Sequence, residues 1–454
     1  MSETDKKITL FEKTPIPKAV LTLAVPTVLS SLVMVFYNLA DTYFVGMLND
    51  PVESAAVALA APVLLAFNAI NNLFGVGSSS MMSRAMGSKD YDVVYKSSAF
   101  GFYCALFCGL LFSLLCATLN QPLLALLGAD SVTAGSTNGY LLWTVYLGAA
   151  PSILNVVMAY LVRAEGSALH ASIGTMSGCF LNIILDPIFI LPWGFNMGAA
   201  GAGLATFLSN CVACLYFFVL LFIKRRHTFV SINPKKLSFK KDIVLGVCGV
   251  GVPAAIQNLL NVTGMTLLNN FTSGYGADAV AAMGITQKIN MVPMNVAMGL
   301  SQGIMPLISY NYASGNVKRM KRTLTFSVKI SLTLLYFIFP GAFVSLFMKN
   351  DSIVSYGSRF LRGFCLALPF LCVDFLAVGV FQAVGMGRHS LVFALLRKIV
   401  LEIPALCLLN WIFPLYGLAY AQFTAELILA VAAVVVLYRL FKRLEKKYPD
   451  KAST

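Results

Sequence analysis

The sequence predicts an all-α polytopic membrane protein with twelve transmembrane helices, built as two six-helix bundles related by a pseudo-two-fold along the membrane normal. Three observations carry that prediction. Of 454 residues, 58% are hydrophobic and only 11% charged, more apolar surface than a water-soluble fold can bury. Apolar runs long enough to cross a hydrocarbon core of about 30 Å recur from Val20 to Leu440, with mostly short connections. Lys and Arg crowd every second connection and are absent from those between, the asymmetry that orients multi-span proteins.

The amino terminus is charged (Lys6, Lys7, Lys13, Lys18) and too long for the basic part of a signal peptide. The apolar run behind it lacks a small-residue cleavage site, so it is expected to remain as the first helix. Helices are expected at 19–47 (α1), 54–81 (α2), 95–119 (α3), 138–162 (α4), 169–192 (α5) and 199–223 (α6). The second half is expected at 243–272 (α7), 279–310 (α8), 323–347 (α9), 354–384 (α10), 390–413 (α11) and 416–440 (α12). In order, α1 holds Pro26 and the polar run from Tyr37 to Asp41, and α2 and α3 flank the basic stretch Arg84, Lys89, Lys96. Then α4 runs to Arg163, α5 ends on Asn182, Asp186 and Pro187, and α6 opens on a Gly-Ala run and reaches the basic linker 224–241. Pro253 falls in α7, Gln287, Lys288 and Pro293 in α8, Asp374 in α10, Glu402 in α11 and Glu426 in α12. Lys318 to Arg322 precede α9, and a basic tail follows α12.

A net charge of +14 raises the possibility of a nucleic-acid partner, but its placement describes topology instead. By the positive-inside rule both termini are cytoplasmic and the protein sits in the inner (plasma) membrane, with the lipid bilayer as partner and no nucleic acid. Lys349, Arg359 and Arg362 depart from the pattern at one connection. The basic linker divides the chain into an amino-terminal lobe, 1–228, and a carboxyl-terminal lobe, 229–454. The halves echo each other: Val25-Pro26 with Val252-Pro253, 84–90 with 311–317, 163–166 with 382–385, and Gly201 with Gly417. Six crossings per half give both the same orientation, an arrangement that encloses a central cavity.

No loop is long enough for an ATP-binding domain and no phosphate-loop motif is present, so the energy must come from an ion gradient or the membrane potential. That points to a secondary transporter, not an enzyme, acting without a cofactor. Asp41 and Asp186 sit at matching depth near the Lys/Arg-free side, and Thr206 falls at a similar level. Tyr37 and Asn182 lie one turn below the two acids, at i, i+4 spacing that places them on the same helix faces. This set suits a proton or a small hard cation, Asp41, Asn182, Asp186 and Thr206 being the ligands if the ion is Na⁺. The alternative reading is that each aspartate accepts hydrogen bonds at a helix break. In the other half Asp374, Glu402 and Glu426 lie near mid-membrane, and Lys288 is expected either to neutralise one of them or to face substrate. Lys288, Gln287, Met291 and Asp374 are the expected substrate-cavity residues, with Met294 and Met298 adaptable neighbours or lipid-facing packing. Pro26 is the expected hinge, with Pro253 and Pro293 as further bending points. The ten cysteines, including Cys211 and Cys214, read as small core residues, and three isolated histidines do not make a metal site.

Several stretches together resemble the multidrug and toxic compound extrusion (MATE) family, in its DinF-like branch with MepA-type drug exporters. They are Pro26-Thr27 and 40–46 in α1, Arg84-Ala85-Met86-Gly87, Arg163-Ala164-Glu165-Gly166, 182–187, 198–201, Gln287-Lys288-Ile289 and Gln382-Ala383-Val384-Gly385. The resemblance spans nearly the whole chain. It implies H⁺- or Na⁺-coupled antiport of amphipathic, often cationic drugs by a monomer, with Tyr37, Asp41, Asn182, Asp186 and Thr206 at the matching coupling positions. In the NorM-like branch coupling uses acids on the seventh and tenth helices. Here α7 offers Gln257, Asn258 and Asn261 instead of a carboxylate. A flippase for a lipid-linked sugar or peptidoglycan precursor is the alternative function, though the extra helices and cationic cavity typical of such proteins are not evident.

Overall fold

A computed structural model describes residues 3–338 and 351–449, all of whose regular structure is helical. The amino-terminal lobe contains α1 (Ile16–Gly46), α2 (Pro51–Gly87), α3 (Tyr91–Thr118), α4 (Ala134–Tyr146 and Ala149–Ala164), α5 (Ala168–Ile190) and α6 (Gly198–Ile223). The carboxyl-terminal lobe contains α7 (Lys241–Ser273), α8 (Ala277–Ala313), α9 (Val317–Ile338), α10 (Asp351–Ala383), α11 (Gly387–Leu395, Leu396–Glu402 and Ile403–Ile412) and α12 (Gly417–Lys447). Lys349 and the expected end of α9 lie outside the described residues.

Among the described residues nine helices are individually long and apolar enough to span, and the two arms of α4 add a tenth, bent by 44°. The remaining two crossings miss that test for visible reasons. The first turns of α9 carry Lys318, Arg319, Lys321 and Arg322, and α11 is interrupted by a π-helical turn over Leu396–Glu402. Similar π turns interrupt α2 at Asn72–Val76 and α4 at Leu142–Tyr146. Each widens the helix by one residue per turn and re-aims the side chains beyond it. The helices also run further than expected on the basic side: Arg84 to Gly87 belong to the last turn of α2, not to the loop after it. Asp50 and Asp90 cap α2 and α3 by accepting from the Val52 and Val93 amides at 2.8 and 3.2 Å.

Two helices outside the spans escaped the sequence reading. Asn120–Leu126 lies on the Lys/Arg-free side. Glu3–Glu12 packs on the basic side across both lobes. Its Lys7 bonds Glu165 at 2.6 Å and the His227 carbonyl at 3.0 Å, both in the amino-terminal half. Its Phe11, fully buried, stacks on Tyr310 of α8 with ring centroids 5.0 Å apart. Tyr310 donates to Glu12 at 2.7 Å, and Arg319 of α9 donates to the Phe11 carbonyl at 2.7 Å and that of Thr14 at 2.5 Å. Glu165 is the hub on the other side, accepting also from Thr228 and from the Phe229 amide.

Within the lobes α1 packs along α5 and α5 along α6, while α8 packs on α10 and α10 on α12. The lobes meet through α1 against α8 and α2 against α7. Their glycine contacts all fall in the basic-side halves of the helices. A Cβ on Gly303 would stand 2.7 Å from Ala24 Cα, and one on Gly299 2.9 Å from Val28 Cα. Gly77 faces the Val247 carbonyl, Gly251 the Leu73 carbonyl, and Gly87 the Tyr310 carbonyl, each too closely for any side chain. Ser80 of α2 donates to the Gln382 carbonyl of α10 at 2.5 Å, and Arg84 donates to the Gly246 carbonyl. The lobes are thus sealed on the side that carries the amino terminus and the basic connections.

Replacing Gly303 by Leu forces these backbones apart at a cost of about 1–3 kcal/mol or more. A cysteine placed at Ser80, in a background without the native thiols, should then react about tenfold faster with a polar thiol reagent. Phe11→Ala, which removes the ring contact of the bridge between lobes without touching the seal, is expected to move that rate in the same direction.

Candidate functional site

Asp41 lies five residues from the end of α1 and Asp186 four from the end of α5, about 8 and 6 Å below the Lys/Arg-free rim at 1.5 Å per residue. Thr206 lies eight residues into α6, about 12 Å down. The structure brings all five expected coupling residues together. Asp186 is fully buried and Asn182 nearly so. With its amide turned to satisfy both neighbours, Asn182 donates to Asp186 Oδ2 at 2.8 Å and accepts from the Thr206 amide at 3.1 Å. Tyr37 lies beside Thr206 and in the field of both aspartates. Asp41 in turn acts on Asp186 electrostatically, so the two acids share one neighbourhood. Pro187 does not end α5, which continues to Ile190.

Asp41 Oδ1 is buried and has no hydrogen-bond partner. An orphaned carboxylate oxygen beside a second carboxylate, an amide and two hydroxyls is a fit for a proton or a small cation, because either one supplies the missing positive partner. Tyr140 belongs to the same neighbourhood, buried and within the field of Asp41, Tyr37 and Asp186. Sequence reasoning missed it because Tyr140 stands at the edge of the expected α4, two residues before the π turn that sets its direction.

The other lobe holds a second buried set of charges, arranged differently. Arg397, at 6% exposure, pairs with the fully buried Glu426, and Lys398 bonds Glu402 at 2.6 Å. Asp374, 1% exposed, lies against Glu426 and in the field of Arg397. Arg397 also sits over the Phe375 ring, 5.2 Å from its centroid. The expectation that Lys288 neutralises an acid is corrected here. Lys288 is exposed on α8, and Arg397 and Lys398 on the π turn of α11 answer the carboxylates. The π turn turns both bases inward within an otherwise apolar helix, a device invisible in composition.

A cavity lies between the lobes, lined from α2, α4, α7, α8 and α10. Met298 lines it, but Lys288, Gln287, Met291 and Asp374 do not. Gln287 instead donates to Asn269 at 3.0 Å, Met291 is half-buried outside the lining, and Asp374 is consumed in the charge cluster. Pro26, Pro253 and Pro293 lie inside continuous helices. Around Pro26, which leaves a carbonyl unpaired, Thr27 donates to Leu23 at 2.8 Å and Ser30 and Ser31 to the Thr27 carbonyl at 2.9 and 3.0 Å. Of the ten cysteines, all unpaired, only Cys214 and Cys372 are buried, and Cys407 is exposed on its helix, so the expectation of core positions holds for two. No group of three or more His, Cys, Asp or Glu could hold a metal among the described residues.

Arg397→Met should destabilise the protein by about 3–5 kcal/mol, because it leaves buried carboxylates without a counter-charge. Thermal unfolding in detergent measures this, and Arg397→Met combined with Glu426→Leu is expected to recover most of the loss.

The chain matches the MatE family model over residues 26–188 and again over 253–408. The two stretches start at the paired prolines Pro26 and Pro253, and they register the internal duplication. Among curated relatives it is 33% identical over 446 residues to "Multidrug export protein MepA" of Staphylococcus aureus (strain MRSA252), across 97% of each chain. It is also 33% identical over 451 residues to the protein of the same description in Staphylococcus saprophyticus, again across 97% of each chain. Among solved structures it superposes with TM-score 0.90, at 26% identity and over 97% of this chain and 99% of the other, on one described as an outward-facing multidrug resistance MATE family transporter of the MOP superfamily. A MATE in complex with MaD5 superposes with TM-score 0.89 at 26% identity, over 97% and 99% of the two chains.

Proposed function

The chain belongs to the MatE family of membrane transporters, and we propose that it exports amphipathic organic compounds, cations among them, in exchange for H⁺ or Na⁺. The orphaned Asp41 oxygen beside Asp186 is the observation that carries this reading. A carboxylate pair in a low-dielectric lobe, with no Lys or Arg among the groups acting on either member, needs a mobile positive charge to complete it. Na⁺, where it is the ion, is held by Asp41, Asn182, Asp186 and Thr206, and Asn182 orders the Thr206 hydroxyl.

The basic-side seal fits a topology with both termini in the cytoplasm, so that the present arrangement opens outward and the ion site lies near the outer face. An ion entering there neutralises the pair, relieves their mutual repulsion and lets α1 close more tightly on α5 and α6. Pro26 is the point where α1 yields, since its backbone lacks one hydrogen bond and its neighbours are held by hydroxyl bridges that can re-form. Cargo released outward is thereby exchanged for an ion carried inward.

Asp41→Asn should abolish export of a fluorescent cationic dye, with efflux from cells falling at least about tenfold while the protein stays folded. Purified protein in liposomes should accumulate or expel the dye when a pH or a Na⁺ gradient is imposed. Full efflux by the mutant, or transport indifferent to both gradients, overturns the coupling scheme.

A further inference from the structure

The cavity between the lobes is chemically unlike the two charge clusters. Its lining holds six carboxamides and no Asp, Glu, Lys, Arg or His: Asn72 from the π turn of α2, Gln257, Asn258 and Asn261 from α7, Gln302 from α8 and Gln382 from α10. Gln257 and Asn261 are one turn apart on the same face of α7, just beyond Pro253. Some of this hydrogen-bonding capacity is used within the protein. Asn72 donates to the Asn68 carbonyl at 2.8 Å, and Gln382 donates to Gln257 and to Ser390, both at 3.3 Å. Asn258, Asn261 and Gln302 are half-buried and make no side-chain hydrogen bond among the described residues.

A primary carboxamide shows an N–H donor and a carbonyl acceptor on one edge. Its natural complement is a group with the same pair side by side in reverse order, so that two parallel hydrogen bonds form without net charge. We propose that this cavity is a neutral recognition subsite for uncharged cis-amide or lactam edges. A cation placed here loses hydration and meets no counter-charge, whereas a lactam exchanges its water contacts for protein ones. The water-accessible space is about 90 Å³, far below the roughly 300 Å³ needed for a whole drug. It therefore takes the polar end of a larger molecule and leaves the apolar remainder in the cleft. This deepens the export reading and rests on it for its consequence, though binding is measurable without transport.

The test uses three small bicyclic probes of similar shape on the purified full chain in nanodiscs: 2-quinolone, 1-methyl-2-quinolone and 1-methylquinolinium. The 2-quinolone should bind most tightly, loss of its N–H should weaken binding about tenfold, and the cation should bind most weakly. The Asn258→Leu, Gln302→Leu double variant should erase the difference between the first two probes. Asn258→Asp, which keeps size and polarity, should raise the affinity for the quinolinium above that for 2-quinolone. Unaltered unfolding midpoints for the variants keep a folding defect from mimicking this result. The inference is overturned if the wild type prefers the quinolinium, binds none of the three, or keeps its N–H preference in the double variant. Wild-type export of a cationic dye is scored separately: its absence defeats the export reading, while its presence with the wrong probe order defeats only this subsite.

Discussion

A carboxylate buried where water cannot reach it must be matched by a proton, a cation or strong donors, and this single requirement organises both lobes. The carboxyl-terminal lobe meets part of it with bases. Three acids, Asp374, Glu402 and Glu426, face two bases, Arg397 and Lys398, and both Asp374 oxygens are buried without a hydrogen-bond partner. The amino-terminal lobe does not. Asp186 has the Asn182 amide, but Asp41 leaves an oxygen unmatched, and no base acts on either acid. One lobe therefore answers its acids with fixed bases, and the other holds an acid pair with none, the place that the proposed ion would fill.

What links that ion to the rest of the protein is α1. The helix carries Asp41 near one end and, seventeen residues earlier, Ala24 at the glycine seal with Gly303 of α8, a span of about 26 Å. Pro26 lies at the seal end, where one backbone bond is missing. The seal is made of backbone approaching backbone, so it has two states, closed or open, with little compliance between them. The Glu3–Glu12 helix adds a second tie across the same side, anchored to Glu165 in one lobe and Tyr310 and Arg319 in the other. Any motion that opens this side must first separate Lys7 from Glu165 or Phe11 from Tyr310.

The helical framework was legible because a membrane leaves few alternatives: apolar length and alternating basic connections determine most crossings. The Asp41 and Asp186 neighbourhood was legible from depth and i, i+4 spacing, since charged residues in apolar helices are too costly to be incidental. The remainder was hidden for specific reasons. The Glu3–Glu12 helix is ten residues long and charged, so it presents neither the length nor the apolarity of a span, and the partners that anchor it, Glu165, His227, Tyr310 and Arg319, are far away in sequence. Arg397 and Lys398 were overlooked, and Lys288 chosen in their place, because a π turn changes which face of α11 looks inward. No feature of composition announces that turn. The amides of the cavity between the lobes, six of its fifteen lining residues, went unremarked as a lining because they carry no charge to flag them, although α8 does contribute Met298 and Met305 to that lining.

The separation of these parts constrains how exchange can work. None of Tyr37, Asp41, Asn182, Asp186 and Thr206 lines the cavity between the lobes, so an ion at the acid pair and a polar group at the cavity floor occupy different atoms. Direct displacement, in which ion and cargo compete for one carboxylate, then cannot account for exclusion at the floor. In the proposed scheme the antagonism passes through helix packing, since α1, which carries Asp41, lies against α8, which lines the cavity. A neutral floor has the further effect that ions crowding the cleft meet no charged side chain in its lining. In the proposed scheme charge sits in the lobe that couples and hydrogen bonding in the cleft that recognises, and the packing of α1 on α8 joins the two.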